Sequence, residues 1–240
     1  MDIVAQLKDT TLAGGVVSSM IVMLIMIILA VIIGIKAHFQ DPLKKPKGIL
    51  LVAEIGVNFF ENFAEGLLGK RFRIFGGYLM AIGVYLFLAF IFGLTGLPSP
   101  MTTLSVPLSL GLSTFILIHA TAVKYNKIRY FKRYVDPLPL FLPMNLISMW
   151  APLLSLTLRL FGNALSGFVI MNIVYYGLQN MSSAIFSFVE SEFNGAFIAP
   201  FVAWILHLYF DLFSGVIQTT VFLSLTTIYV GQEAPEEYLD

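Results

Sequence analysis

The sequence predicts an all-α, polytopic membrane protein with about five transmembrane helices and one amphipathic helix in the membrane interface. Three observations carry that prediction. Of its 240 residues, 58% are hydrophobic and only 12% charged, where a soluble domain carries roughly 25% charged residues. The mean hydropathy is +0.87, too apolar for a water-exposed surface. The charges are gathered into short stretches, leaving long uncharged runs that lack the strict alternation of membrane β-strands.

Residues 16–35 form a run of 20 without a charge, about 30 Å of helix, enough to cross a bilayer core. This is the first span, 16–36. Asp2 and Asp9 flank a lone Lys8 ahead of it, which is not the basic leader of a cleaved signal, so the span is expected to be retained. In residues 48–69, Glu54, Asn58, Glu61, Asn62 and Glu65 recur at helical spacing. Val52, Ile55, Phe59, Phe60, Phe63 and Leu67 fill the other faces. That pattern describes a helix lying in the interface rather than crossing it, or, as the alternative, an ordinary amphipathic loop helix.

Residues 74–123 hold no Asp, Glu, Lys or Arg. They are interrupted by Gly96-Leu97-Pro98-Ser99-Pro100, a turn signal that folds the run into a helical hairpin. Residues 137–231 are expected to carry an ion pathway. The stretch 137–189 contains one charge, Arg159, and the stretch 193–232 contains one acid, Asp211. Each is expected to be either one long, tilted helix or two shorter ones. No internal repeat and no low-complexity linker divides the chain, so residues 1–240 are expected to form a single integral membrane domain.

Basic residues set the orientation. Twelve of the 14 lie in two groups: Lys36, Lys44, Lys45, Lys47, Lys70, Arg71 and Arg73, then Lys124, Lys127, Arg129, Lys132 and Arg133. Basic loops stay on the cytoplasmic side. The N-terminus, the Pro98–Pro100 turn and the segment holding Glu190 and Glu192 are then outside, and the C-terminal tail is inside. The Lys124–Arg133 stretch, with Tyr125, Tyr130 and Phe131 between its charges, is read as a topogenic loop and not as a nucleic-acid surface.

Arg159 carries the functional argument. It lies in the middle of Ser155-Leu-Thr-Leu-Arg-Leu-Phe-Gly-Asn163, with apolar sequence for over 20 residues on both sides. Placing an arginine at the centre of a spanning helix costs roughly 2.5–3.5 kcal/mol on insertion scales. Deprotonation offers no escape, because the guanidinium stays charged. A structural arginine, snorkelling or paired within the bundle, is the competing account; the central position counts against it. Ser155 and Asn163 stand four residues either side and share its face. Gly162, Ser166 and Gly167 add small residues that let another backbone approach closely. On the last run, His207, Asp211, Ser214 and Gln218 recur at i, i+4, i+7 and i+11, a polar stripe on an otherwise apolar helix. Asp211 there is a candidate for reversible proton or cation occupancy.

Other chemistry is poorly served. The chain has no cysteine, which removes thiolate metal sites, disulfides and cysteine nucleophiles. Gly-x-Ser-x-Gly, His-Glu-x-x-His and P-loop motifs do not occur. A metal on His207 and Asp211 would need ligands from elsewhere, and the other two histidines, His38 and His119, lie in different segments. No metal and no cofactor is expected.

The segment Ser155-Leu-Thr-Leu-Arg-Leu-Phe-Gly-Asn-Ala-Leu-Ser-Gly167 resembles the signature of the a subunit of bacterial F-type rotary ATP synthases. So do Ile217-Gln-Thr-Thr-Val-Phe-Leu-Ser-Leu-Thr-Thr-Ile-Tyr229, Gly96-Leu-Pro-Ser-Pro100 and the Lys124-Tyr-Asn-Lys stretch. The resemblance implies an ion-translocating stator subunit that is not an enzyme by itself. Its partners would be the c-subunit ring, the peripheral stalk b subunit, the rest of the synthase and membrane lipid. Arg159 would face the ion-carrying carboxylate of each passing c subunit. Asn163 would lie beside it on the ion path, with Gln218 its polar neighbour on the last helix. Ser155, His207, Asp211 and Ser214 would belong to the same path, and Gly162, Ser166 and Gly167 would pack toward the ring. Many members carry Glu nine residues after the arginine, where this chain has Phe168, so Asp211 would be the access-channel acid. The location implied is the plasma membrane of a bacterium. Two other readings of the residues remain: a stand-alone secondary transporter with Arg159 at a midplane substrate site, and an intramembrane hydrolase using His207 and Asp211.

Overall fold

A computed structural model describes residues 14–41, 45–127, 130, 132, 139–185 and 199–234. The segment holding Glu190 and Glu192, the basic residues Lys44, Arg129 and Arg133, and the tail beyond residue 234 lie outside the described residues. Every regular element described is helical. In chain order these are α1 (Gly14–His38), α2 (Ile49–Leu68), α3 (Gly76–Ile91), α4 (Ser105–Asn126), α5 (Leu142–Ile185), α6 (Ala199–His207) and α7 (Ser214–Gln232). A π-helical turn, Leu208–Phe213, joins α6 to α7. Among the described residues, five stretches are long and apolar enough to cross a membrane: Gly14–His38, Phe72–Thr95, Ser105–Asn126, Leu142–Ala184 and Val202–Gln232.

Within the described residues each long run is one continuous helix. α5 has 44 residues, about 66 Å at 1.5 Å per residue, against a hydrocarbon core of about 30 Å. It therefore crosses obliquely. Pro152 lies inside it, where the missing N–H removes one rung of the hydrogen-bond ladder. The last span, Val202–Gln232, is also oversized at 31 residues.

The hairpin forms as the turn signal predicts. Gly96 ends the 3₁₀ extension of α3 with φ 79°, a left-handed conformation that glycine adopts without a Cβ clash. Ser99 then caps a short 3₁₀ turn, Pro100–Thr102, by accepting a hydrogen bond from the Met101 N–H at 3.4 Å. The core sits around α3, where Leu79, Leu86, Ala89 and Phe90 meet Leu156 and Leu160 of α5 and Phe222 and Leu223 of α7. Close approach makes this possible at Gly215, since a Cβ there would lie 2.6 Å from the Phe90 side chain. In lipid, where apolar surface gains little by being hidden, such close van der Waals packing holds helices together.

α1 is held at one end only. Its buried residues, Gly15, Ser18, Ser19 and Val22, form one short stripe, tied to α3 by the buried Ser19 Oγ···Tyr85 OH hydrogen bond of 2.6 Å. The rest of α1 turns apolar side chains outward. α2 is a helix, as its pattern requires, and packs on α3 and α7 through Ala64 and Leu68. The Arg73 Nε–Glu61 Oε2 ion pair of 2.7 Å ties α2 to the turn after it.

Candidate functional site

Arg159 stands on the uncovered side of α5, together with Leu158, Gly162, Leu165 and Ser166. Its one described bond is local: Nη2 donates to Ser155 Oγ at 3.4 Å, and none of the described ion pairs involves it. Open space lies where a Cβ on Gly162 would point, and Ser166 Oγ turns back to the Gly162 carbonyl at 2.7 Å. This face is flat at Gly162 and Ser166, apolar at Leu158 and Leu165, and presents one fixed positive charge.

Gly167 does not share it. Successive residues are about 100° apart around a helix, and that step carries Gly167 inward. A Cβ there would meet the Phe210 ring at 3.5 Å. Of the three small residues expected to pack toward a partner, Gly162 and Ser166 are uncovered, while Gly167 is buried against Phe210 of its own chain.

Asn163 sits at the border between the two faces. Its Nδ2 donates to Ser214 Oγ at 2.7 Å, clamping α5 to the start of α7. About two turns further back on the last helix, His207 is held at both ring nitrogens. Nδ1 is 2.6 Å from Asp211 Oδ2 and Nε2 is 2.9 Å from Tyr175 OH. A neutral imidazole has one donor and one acceptor nitrogen. The carboxylate accepts from Nδ1–H, leaving Nε2 to accept from the phenol. Asp211 itself lies in the π turn, a feature that the sequence pattern does not announce and that recurs at functional sites. Its carboxylate packs against Gly93, where a Cβ would lie 3.1 Å from Oδ1.

The four-residue stripe on the last helix accordingly divides. His207 and Asp211 line a cavity of about 330 Å³ between α5, the last helix and the Gly96–Ser99 turn. Asn163, Gly167, Phe168 and Tyr175 complete the part of its wall that matters here. Ser214 is bonded to Asn163 at its edge, and Gln218 is buried, its amide nitrogen lacking a hydrogen-bond partner among the described residues.

A second cavity, about 500 Å³, lies between α4, α5 and the end of α7. Ser155 belongs to it, with Ser148, Pro152, His119, Tyr229 and Glu233. Thus Ser155 opens onto one cavity, Asn163 opens onto the other, and Arg159 stands one turn from each. Tyr175, Gly93, His119 and Glu233 are absent from the residues that sequence reasoning selects. Only Tyr175 had a signal, because the four-residue row through Arg159 and Asn163 continues to Gly167, Met171 and Tyr175.

Comparison with known proteins agrees with this architecture. The family model described as ATP synthase A chain matches residues 16–231. The chain is 31% identical to the ATP synthase subunit a of Mycoplasmoides gallisepticum, over 90% of this chain and 77% of the relative. It is 30% identical to that of Bacillus velezensis, over 75% of this chain and 80% of the relative. A shorter match, 34% identical over 60% of this chain and 44% of the relative, is to the "ATP synthase subunit a, sodium ion specific" of Propionigenium modestum. With five membrane-length helices and a family match running from α1 to the end of α7, this chain belongs to the ATP synthase A chain family.

Proposed function

We propose that this chain is the ion-translocating stator subunit of a rotary ATP synthase, forming two half-channels offset around a fixed arginine that faces the c ring. The observation that carries this reading is the placement of Ser155 and Asn163 on two different cavities, about 12 Å apart along α5, with Arg159 between them. An ion arriving through the first cavity, past His207, Asp211 and Asn163, meets a fixed cation and cannot continue straight into the second. It must board a carboxylate supplied by the partner on the open face of α5 and leave after the ring has turned.

Electrostatics gives the arginine its work. Two unit charges 4 Å apart attract by about 4 kcal/mol at an effective dielectric of 20, so Arg159 favours an unloaded carboxylate as it passes. Each charge crossing 100 mV supplies about 2.3 kcal/mol, which the forced rotation converts to torque. The smooth face at Gly162 and Ser166 suits a moving neighbour, because no side chain projects there to catch it. In this reading the whole chain acts as one integral membrane domain in the plasma membrane of a bacterium. Its N-terminus and first cavity are outside, the second cavity and the C-terminus are cytoplasmic, α2 lies in the interface, and the peripheral stalk b subunit holds the chain still. Arg159 lines neither cavity, which counts against a transporter that binds its substrate on this residue.

The test uses the absence of native cysteine. Cysteines placed at Gly162 and Ser166 should cross-link to cysteines on the outer helix of a small two-helix proteolipid that co-purifies in many copies. A cysteine at Gly167 should not. Uptake of a solute by this chain alone in liposomes, with no cross-linking at positions 162 and 166, overturns the proposal in favour of a transporter.

A further inference from the structure

The second cavity contains groups for which the proposed path has no stated use. Glu233 is the one carboxylate among its lining residues, and it is only 8% exposed. It comes directly after α7, at the C-cap. The negative pole of a helix disfavours an acidic side chain at that end, and burial of a carboxylate adds a desolvation penalty. The helix end therefore does not itself favour an acid at this position. Locally, Asn126 of α4 places its Nδ2 3.5 Å from Glu233 Oε2 and 3.4 Å from the Glu233 carbonyl.

The facing walls are polar as well. His119 of α4 lines the cavity, with Nδ1 2.7 Å from Tyr130 OH. On α5, Pro152 has no N–H to offer the Ser148 carbonyl, and both residues border the same space. Irregular backbone at membrane depth is tolerated where it lines a watery cavity, and this volume has room for several water molecules. Ser155 completes the wall and accepts from Arg159 Nη2 at 3.4 Å. Polar groups therefore border the space from Arg159 to Glu233.

We infer that Glu233 is a cation-relay site of the second cavity, opposite His119. It holds an ion in transit between Ser155 and the water beyond α7. For a proton, the carboxylate accepts H⁺ from one cavity hydronium and returns it to another water, so nothing is consumed; for sodium, its oxygens replace part of the hydration shell. The inference rests on the two-half-channel reading.

The experiment is ATP-driven cation uptake into inverted vesicles containing the whole complex, read as lumenal acidification and as sodium-tracer accumulation and normalised to assembled complex. Inversion places the second cavity on the loading side. Glu233→Gln should lower uptake about tenfold at limiting external cation. The deficit should shrink at saturating cation, and Glu233→Asp should restore most of it. Unchanged uptake in Glu233→Gln overturns the inference. So does a loss of assembly that Glu233→Asp does not repair, which would make the residue structural. Asp211→Asn run in parallel separates the levels. If it slows uptake while Glu233→Gln does not, only this inference fails; if neither slows uptake, the half-channel reading fails with it.

Discussion

On α5 the charged residue stands in the open. Arg159 has one weak bond to its own helix and no described carboxylate beside it. On the last helix the charged residue is enclosed: Asp211 is bonded to His207, which is bonded in turn to Tyr175. Both residues are single charges in long apolar runs, and both meet the same unfavourable medium. The enclosed one has its partners within the chain, so it serves a path that the chain builds alone. The open one keeps its charge without a partner, which is stable in a membrane only when another molecule or water covers it. Isolated intramembrane charges thus fall into two kinds, distinguished by whether the chain itself completes their shell.

The largest expected effect breaks the open side. Arg159→Ala should abolish ATP-driven ion pumping, a loss of more than about a hundredfold, with the complex still assembled, because no internal bond of consequence is removed. Arg159→Lys keeps the charge on a flexible stem and should retain little activity, since lysine loses its proton where arginine does not. Pumping by assembled Arg159→Ala at the normal rate would show that the open charge has no partner to act on.

On the enclosed side, Asp211→Asn should slow pumping about tenfold without loss of assembly, because the amide keeps the shape and its bonding reach. Phe168 lines the same cavity as Asp211. Phe168→Glu in the Asp211→Asn background should therefore recover part of the flux by returning a titratable group to the same space. Rescue at position 168 would identify the cavity, rather than the one residue, as the functional unit. Full flux in Asp211→Asn would remove this acid from the path.

Gly162 and Gly167 test the same contrast through bulk instead of charge. Gly162→Leu meets open space within the chain and should leave thermal stability unchanged while reducing coupled pumping. Gly167→Leu drives a side chain into Phe210 and should destabilise the chain itself by about 1–3 kcal/mol. Thermal unfolding of the detergent-solubilised complex, set beside pumping rates, separates the two. Equal destabilisation would mean that the two glycines share a face.

Much of this was legible in the sequence, and the part that was not has definite causes. Apolar run lengths located the spans, because membrane thickness and helix rise leave little freedom. Gly96 through Pro100 located the hairpin turn, because few residues tolerate a left-handed conformation. Arg159 and Asp211 stood out because a charge in lipid needs a reason. The π turn at Leu208–Phe213 interrupts the α-helical period between His207 and Ser214, and the sequence pattern carries no sign of it. The contact of Gly167 with Phe210 joins two elements distant in sequence, and the spacing of small residues along one helix does not carry that information. Glu233 and His119 were out of reach: they come from segments distant in sequence and line one cavity only because α4 packs beside α7.

The smallest expected effect concerns Tyr175. An i+4 row advances about 40° around a helix at each step, so the row Ser155, Arg159, Asn163, Gly167, Met171, Tyr175 winds from the open face into the first cavity. Tyr175 therefore arrives against His207, with its hydroxyl 2.9 Å from Nε2. Its role in the proposed path is positioning: by donating to Nε2 it holds the imidazole in the tautomer whose Nδ1–H faces Asp211. Tyr175→Phe keeps the ring and removes only that hydrogen bond, whose net worth of about 1 kcal/mol corresponds to a several-fold change. Flux should fall about threefold. A merely space-filling tyrosine would show no loss at all. The double mutant decides between positioning and direct conduction: once His207→Asn has removed the imidazole, Tyr175→Phe should add nothing further. If the two losses multiply instead, the phenol handles the ion independently of His207, and the enclosed shell around Asp211 has two working parts in place of one.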